Sequence, residues 1–203
     1  MSFLATYYHP FFDHNDYFVD EKVNYFKFAN EYKIFDATGE QVGAVAQRVS
    51  GWHKVLRSLL NIKKMMPFTL SLTAPTGETL LEIKRGWTFW MAKIVITDPT
   101  GAAIGHIHRK WTLLKPSFHI LDAEHGKIAE ISGDWKAWNF RITDAQGAPI
   151  GTISKKWNGM MKEAFTSADK YIVSVDAALR ENTQKVAILA AAITIDMVLK
   201  ESK

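Results

Sequence analysis

Three cations recur at one place in a repeated pattern. Arg85, Arg109 and Lys155 each stand eight residues after a glycine (Gly77, Gly101 and Gly147), and each is followed two residues later by a tryptophan: Trp87, Trp111 and Trp157. Lys84, Lys110 and Lys156 are their neighbours. A cation beside an indole suits a membrane surface, where the charge meets lipid phosphate and the ring sits among the headgroups. A plainer origin gives the same residues: strand ends are often basic, and tryptophan often plugs the mouth of a barrel. Anionic headgroup binding by Arg85, Arg109, Lys110, Lys155, Lys156, Trp87, Trp111 and Trp157 is the sharper expectation.

Other reactive side chains give less. His106 and His108 alternate along one strand face, as a two-ligand pair would. Lys110 follows on that face and no acidic third ligand is near in sequence, so a solvated strand is expected and no metal. Asp196 is the single acid inside the apolar run Val186–Leu199. A buried carboxylate needs a partner or a shifted pKa, and an inner-wall Arg or Lys is the expected partner. No nucleophile elbow, zinc-binding helix, phosphate loop or dinucleotide fingerprint occurs. No catalytic residue and no cofactor are therefore expected, and the chain reads as non-enzymatic.

The bulk composition sets wide bounds. Twenty-five basic residues against 21 acidic give a formal charge of +4, enough to permit an anionic partner without demanding one. That charge is diffuse and no recognition helix or RNA-stacking signature accompanies it, so nucleic acid is not an expected partner. Zero cysteines exclude a disulfide framework and a thiolate site. The N-terminus lacks a basic stretch followed by an apolar core, so a cytoplasmic chain is expected, with peripheral membrane association open.

The cations are carried by a hairpin written five times. Its turns are Asp36–Gly39, Ala74–Gly77, Asp98–Gly101, Asp122–Gly126 and Asp144–Gly147. Asp bonds the backbone two residues on, Pro presets φ, and Gly supplies positive φ. Short apolar-alternating runs flank every turn, which reads as a β-hairpin. The fourth of the Trp-closed units ends on Trp135, nine rather than ten residues after Gly126, as if one residue were missing. Two further runs, Tyr17–Val23 and Tyr171–Val175, bring the strands to twelve, and twelve antiparallel strands avoid exposed edges by closing into a barrel.

Positions three past the glycine (Val42, Leu80, Ile104, Ile150) and six past it (Val45, Ile83, Ile107, Ile153) are both apolar although they have opposite parity. Both faces should therefore be apolar for part of each returning strand. Gly43, Gly105 and Gly151 share the face of the second set, and small residues on an inner wall leave room for a helix along the axis. Val186–Leu199 supplies that helix. It is apolar on every side and spans roughly 21 Å at 1.5 Å per residue, shorter than the ~20 residues a bilayer span needs.

Ser50–Ile62 reads as a basic amphipathic helix, with Trp52, Val55, Leu56, Leu59 and Leu60 on one face. It is expected to cap the barrel or to dock on a membrane. The organisation expected is an N-terminal arm over residues 1–16 and one barrel domain over 17–203, with its central helix over 182–200.

The run of D-x-x-G hairpins, the segment Asp169–Asp176 and an apolar helix containing Ile195, Asp196 and Met197 resemble the phospholipid scramblase and LURP-one-related group, whose fold is shared with the tubby C-terminal domain. The resemblance covers roughly residues 17 to 201. It implies a mainly β fold, a twelve-stranded antiparallel closed barrel enclosing a C-terminal hydrophobic helix. It also brings phosphoinositide binding by basic residues on neighbouring strands. The calcium site proposed for that group is not carried over, because Asp169 and Asp176 stand alone among apolar neighbours where such a loop needs several close oxygen ligands. The partners expected are anionic membrane lipids or, as the alternative, a protein. Phospholipid scrambling is a third reading.

Overall fold

The computed structural model describes residues 9–22, 31–48, 67–87, 93–110, 117–134, 136, 138–155, 170–179 and 182–200. Twelve strands follow in order: β1 (Asp16–Lys22), β2 (Glu31–Phe35), β3 (Gln41–Arg48), β4 (Phe68–Thr73), β5 (Thr79–Arg85), β6 (Lys93–Thr97), β7 (Ala103–Lys110), β8 (Ser117–Asp122), β9 (Lys127–Asp134), β10 (Asn139–Asp144), β11 (Pro149–Ser154) and β12 (Lys170–Val175). Helix α1 (Asn182–Lys200) comes last. Each strand pairs antiparallel with its sequence neighbours, and β1 pairs with β12, so the sheet closes on itself. At that seam Val19 lies opposite Tyr171, and Lys170 Nζ is 3.3 Å from the Asp20 carboxylate. Closure removes the exposed edges that twelve strands would otherwise present.

The turns form for local reasons. In the Asp36, Asp98 and Asp144 turns the carboxylate accepts the backbone N–H groups two and four residues on, at 2.8–3.0 Å. The glycine closes the turn by donating to the carbonyl three residues back, and φ is +87° to +93° at Gly39, Gly77, Gly101 and Gly147. In the fourth turn that place belongs to His125. Its N–H donates to the Asp122 carbonyl and its φ is +68°. The apparent missing residue is thereby corrected. Counted from His125 rather than Gly126, this hairpin has the register of the others, with Trp135 ten residues on.

The parity conflict has an equally local cause. Every one of the five hairpins carries a β-bulge three residues past its turn position. Ile34 pairs with Gly43 while Phe35 pairs with Gln41, leaving Val42 unopposed; Leu80, Ile104, Ile128 and Ile150 repeat the arrangement. A bulge inserts one residue and reverses the alternation beyond it. Both apolar positions consequently pack on one core, in place of two apolar faces: Leu80 and Ile83 are buried in it, and Val42, Ile104 and Ile150 pack against it.

That core is completed by α1. Val186 through Ile195 are all buried, on every side of the helix. The helix passes close to the wall at Gly105, where an added Cβ would stand 3.3 Å from Ala187 Cβ and 2.6 Å from the Leu121 carbonyl oxygen of the neighbouring strand. Near the turn end of the barrel, a short 3₁₀ turn (Pro10–Asp13) inserts Phe11 and Phe12 into the same core, and the Tyr17 hydroxyl donates to the Phe11 carbonyl at 2.8 Å. The expected amphipathic helix over Ser50–Ile62 lies outside the described residues.

Candidate functional site: the rim around the helix C-terminus

The direction of the chain decides which end of the barrel is basic. Strands β3, β5, β7, β9 and β11 all run away from the hairpin turns, so their last residues share the opposite rim. Helix α1 starts beyond β12 at the turn end and runs toward that rim. Tyr171, at the rim end of β12, donates its hydroxyl to the Ile193 carbonyl of α1 at 2.6 Å. The negative end of the helix dipole therefore faces the rim where the three cations stand.

Arg85, Arg109 and Lys155 continue the inward parity of Ile83, Ile107 and Ile153. Arg85 is only 4 % exposed, with its guanidinium carbon 4.6 Å from the centre of the Phe68 ring. Lys155 Nζ stands 4.7 Å above Trp138, and Trp138 in turn packs on Tyr171 with centroids 5.5 Å apart. These are cation–π placements at a partly desolvated mouth. Arg109 is half-buried, opposite Phe118 in register. Asp196 lies on α1 one turn beyond Ile193; its side chain is not among those described.

The outward positions differ. Lys110 is exposed, and so is Lys93 at the start of β6. Lys84 is bound to Glu82 at 2.7 Å. Trp87 is 55 % exposed, the one large apolar side chain left in water among the described residues. Lys156, Trp111 and Trp157 lie outside the described residues. The rim thus has two layers: inward cations held against aromatic rings near the helix end, and an outer set of Trp87, Lys93 and Lys110 open to whatever approaches.

Trp138 was not marked by the repeat, since it sits between β9 and β10 out of step with the other tryptophans. His106 and His108 lie on the outer wall of β7, flanking inward Ile107, as the alternation implied. The sheet adds two imidazoles to them that linear spacing did not: His119, directly opposite His108, and His125, stacked on His106.

A family model described as Scramblase matches residues 20–202. No curated protein matches the chain. Among solved structures, a protein from Arabidopsis thaliana is similar to it at 10 % sequence identity and a TM-score of 0.56, over 94 % of this chain and 96 % of that one. At that identity the likeness concerns the fold alone.

Proposed function

The chain belongs to the Scramblase family, and from that premise we propose that it is a non-enzymatic barrel that binds anionic phospholipid or phosphoinositide headgroups at a membrane surface through its basic rim. The observation that carries this reading is the outer layer of the rim. Trp87, Lys93 and Lys110 are each exposed at the rim ends of three successive strands, β5, β6 and β7, an indole and point charges of the kind that meet headgroups. Arg109 and Lys155 add positive charge on the inward side of the same rim, toward which the C-terminal end of α1 runs. Binding is favoured over scrambling because the apolar faces of α1 are already covered by the barrel wall, and no described helix is long and apolar enough to cross a membrane.

Flotation of the full chain with phosphatidylglycerol-containing vesicles tests the reading. Each lysine near such a surface contributes about 1 kcal/mol. Lys110→Glu combined with Trp87→Ala is expected to weaken partitioning by at least about tenfold, and raised salt is expected to weaken the native chain. Unchanged partitioning of the double variant would leave a protein-binding barrel without a lipid ligand as the better account.

A further inference from the structure

Four imidazoles share one patch on the outer wall of β6–β9. His106 and His108 are two residues apart on β7, and His119 lies across from His108 on β8. His125 folds back from the β8–β9 turn and stacks on His106, with centroids 4.1 Å apart and planes 21° from parallel. His108 is 6.4 Å from both of those rings. Register sets Lys93, His108, His119 and Glu130 in one row across four strands. Lys110 stands two residues beyond His108, toward the rim.

The acids that face the patch are few. Asp122 lies beside His106. Glu130 is 3.3 Å from His119 Nε2, but it already accepts from Ser117 at 2.6 Å and from Lys127 at 2.7 Å. Nε2 of His108 is shielded from water without a hydrogen bond, a cost that a buried polar atom bears for some reason; Nε2 of His119 has only the Glu130 carboxylate, at 3.3 Å.

The turn itself does not need His125. A non-glycine residue in the left-handed region costs roughly 1 kcal/mol, and the four sibling turns put glycine there. Backbone strain of this kind gathers where a side chain is used. A metal is not the use this geometry suits, because the stacked rings of His106 and His125 present faces to each other rather than lone pairs to a common point. Among the described residues no three His, Asp or Glu side chains are arranged to hold an ion.

We propose that this wall is an acid-gated docking surface for anionic lipid bilayers, uncharged at His106, His108 and His119 near neutral pH and cationic below. It adjoins the rim, shares Lys93 and Lys110 with it, and rests on the rim reading in taking anionic lipid as the partner. Charge complementarity carries the choice. When protonated, His106, His108 and His119 form one cationic band with Lys93 and Lys110 and continue the basic rim down the side of the barrel. The wall is convex, so it touches an extended array of phosphates at several points rather than enclosing one soluble anion.

The groups around the imidazoles oppose charging in the free protein. Partial burial and then His125 and Lys93 hold His106 below the ordinary imidazole range, against the Ala123 backbone and Asp122. Burial, then His106, Lys93, His125 and His119 do so for His108. For His119 the order is burial and Lys127, opposed by Glu130, with Lys110 adding to the depression. Lipid phosphates relieve that mutual repulsion, so binding takes up protons and strengthens as pH falls.

The test is co-sedimentation of the full chain with phosphatidylglycerol–phosphatidylcholine vesicles, whose charge is constant, at about pH 7.5 and about pH 5.5. Partitioning of the native chain is expected to rise at least about tenfold on acidification, and the rise is expected to vanish in His106→Gln/His108→Gln/His119→Gln. His125→Gly, which rebuilds the sibling turn and keeps the fold, is expected to lose part of it. A rise retained in the triple variant overturns the proposal, and so does a native chain that binds equally at both pH values. The second result leaves the rim reading intact, whereas binding seen only in acid overturns the rim and keeps the gate. Absence of binding at both overturns both. Equal acid-gated binding of soluble glycerol phosphate would overturn the choice of a bilayer.

Discussion

His108 sits between Lys93 and His119 in a row of side chains that all carry, or can acquire, positive charge until Glu130 ends it. Burial and these neighbours hold the His106, His108 and His119 pKa values below that of an exposed imidazole. The unfolded chain therefore binds more protons than the native one as the solution is acidified through the ordinary imidazole range near 6.5. Stability is expected to fall as pH drops through that window and to be flat above it. Urea unfolding at a series of pH values checks this, and His108→Gln should flatten the slope; a native chain more stable at about pH 5.5 than at about pH 7.5 would contradict it. Glu130 acts in the opposite window. Hydrogen bonds from Lys127 and then Ser117 bring its pKa down to about 2, so its contribution is present above the ordinary glutamate range and is lost only in strong acid.

At the scale of the element, the hairpin is where sequence and structure meet most closely. Asp turns, strand alternation and the small inner-wall residues were legible because each is a local chemical requirement that recurs, Asp in four of the five turns and glycine on the inner wall in three of the hairpins. The bulge was visible only as a contradiction, apolar residues on both parities, since an inserted residue leaves no side-chain signature of its own. His125 was hidden for a related reason: Gly126 beside it offered a more familiar turn residue. Trp138 and His119 belong to the site by three-dimensional proximity, and no spacing rule connects them to Lys155 or His108. Of the inner-wall glycines, Gly105 carries the clearest consequence, because α1 passes it at Ala187. Gly105→Val drives a side chain into the Leu121 carbonyl of β8 and against Ala187 of α1, and is expected to cost about 2 kcal/mol in chemical denaturation. A neutral result would contradict this close approach of β7 to β8 and α1.

For the whole molecule, the apolar helix, too short to span a bilayer, is the interior of the barrel. Val186, Ile188, Leu189, Ile193 and Ile195 are buried. At about 2 kcal/mol each, their burial amounts to roughly 10 kcal/mol, comparable with the whole stability of an ordinary domain. A chain ending at Glu181 is accordingly expected to be unfolded by circular dichroism and proteolysis, and a folded, soluble truncation would contradict this. On the proposed reading, a membrane is met through side chains around the rim and along one wall while α1 stays in place.

Hydrogen exchange of the intact chain, with and without phosphatidylglycerol vesicles at neutral pH, tests both halves of that statement at once. The account predicts that amides of residues 186–195 are strongly protected in both conditions, while those around Trp87, Lys93 and Lys110 slow when vesicles are added. Loss of protection in α1 on adding vesicles, or a rim indifferent to them, would contradict it.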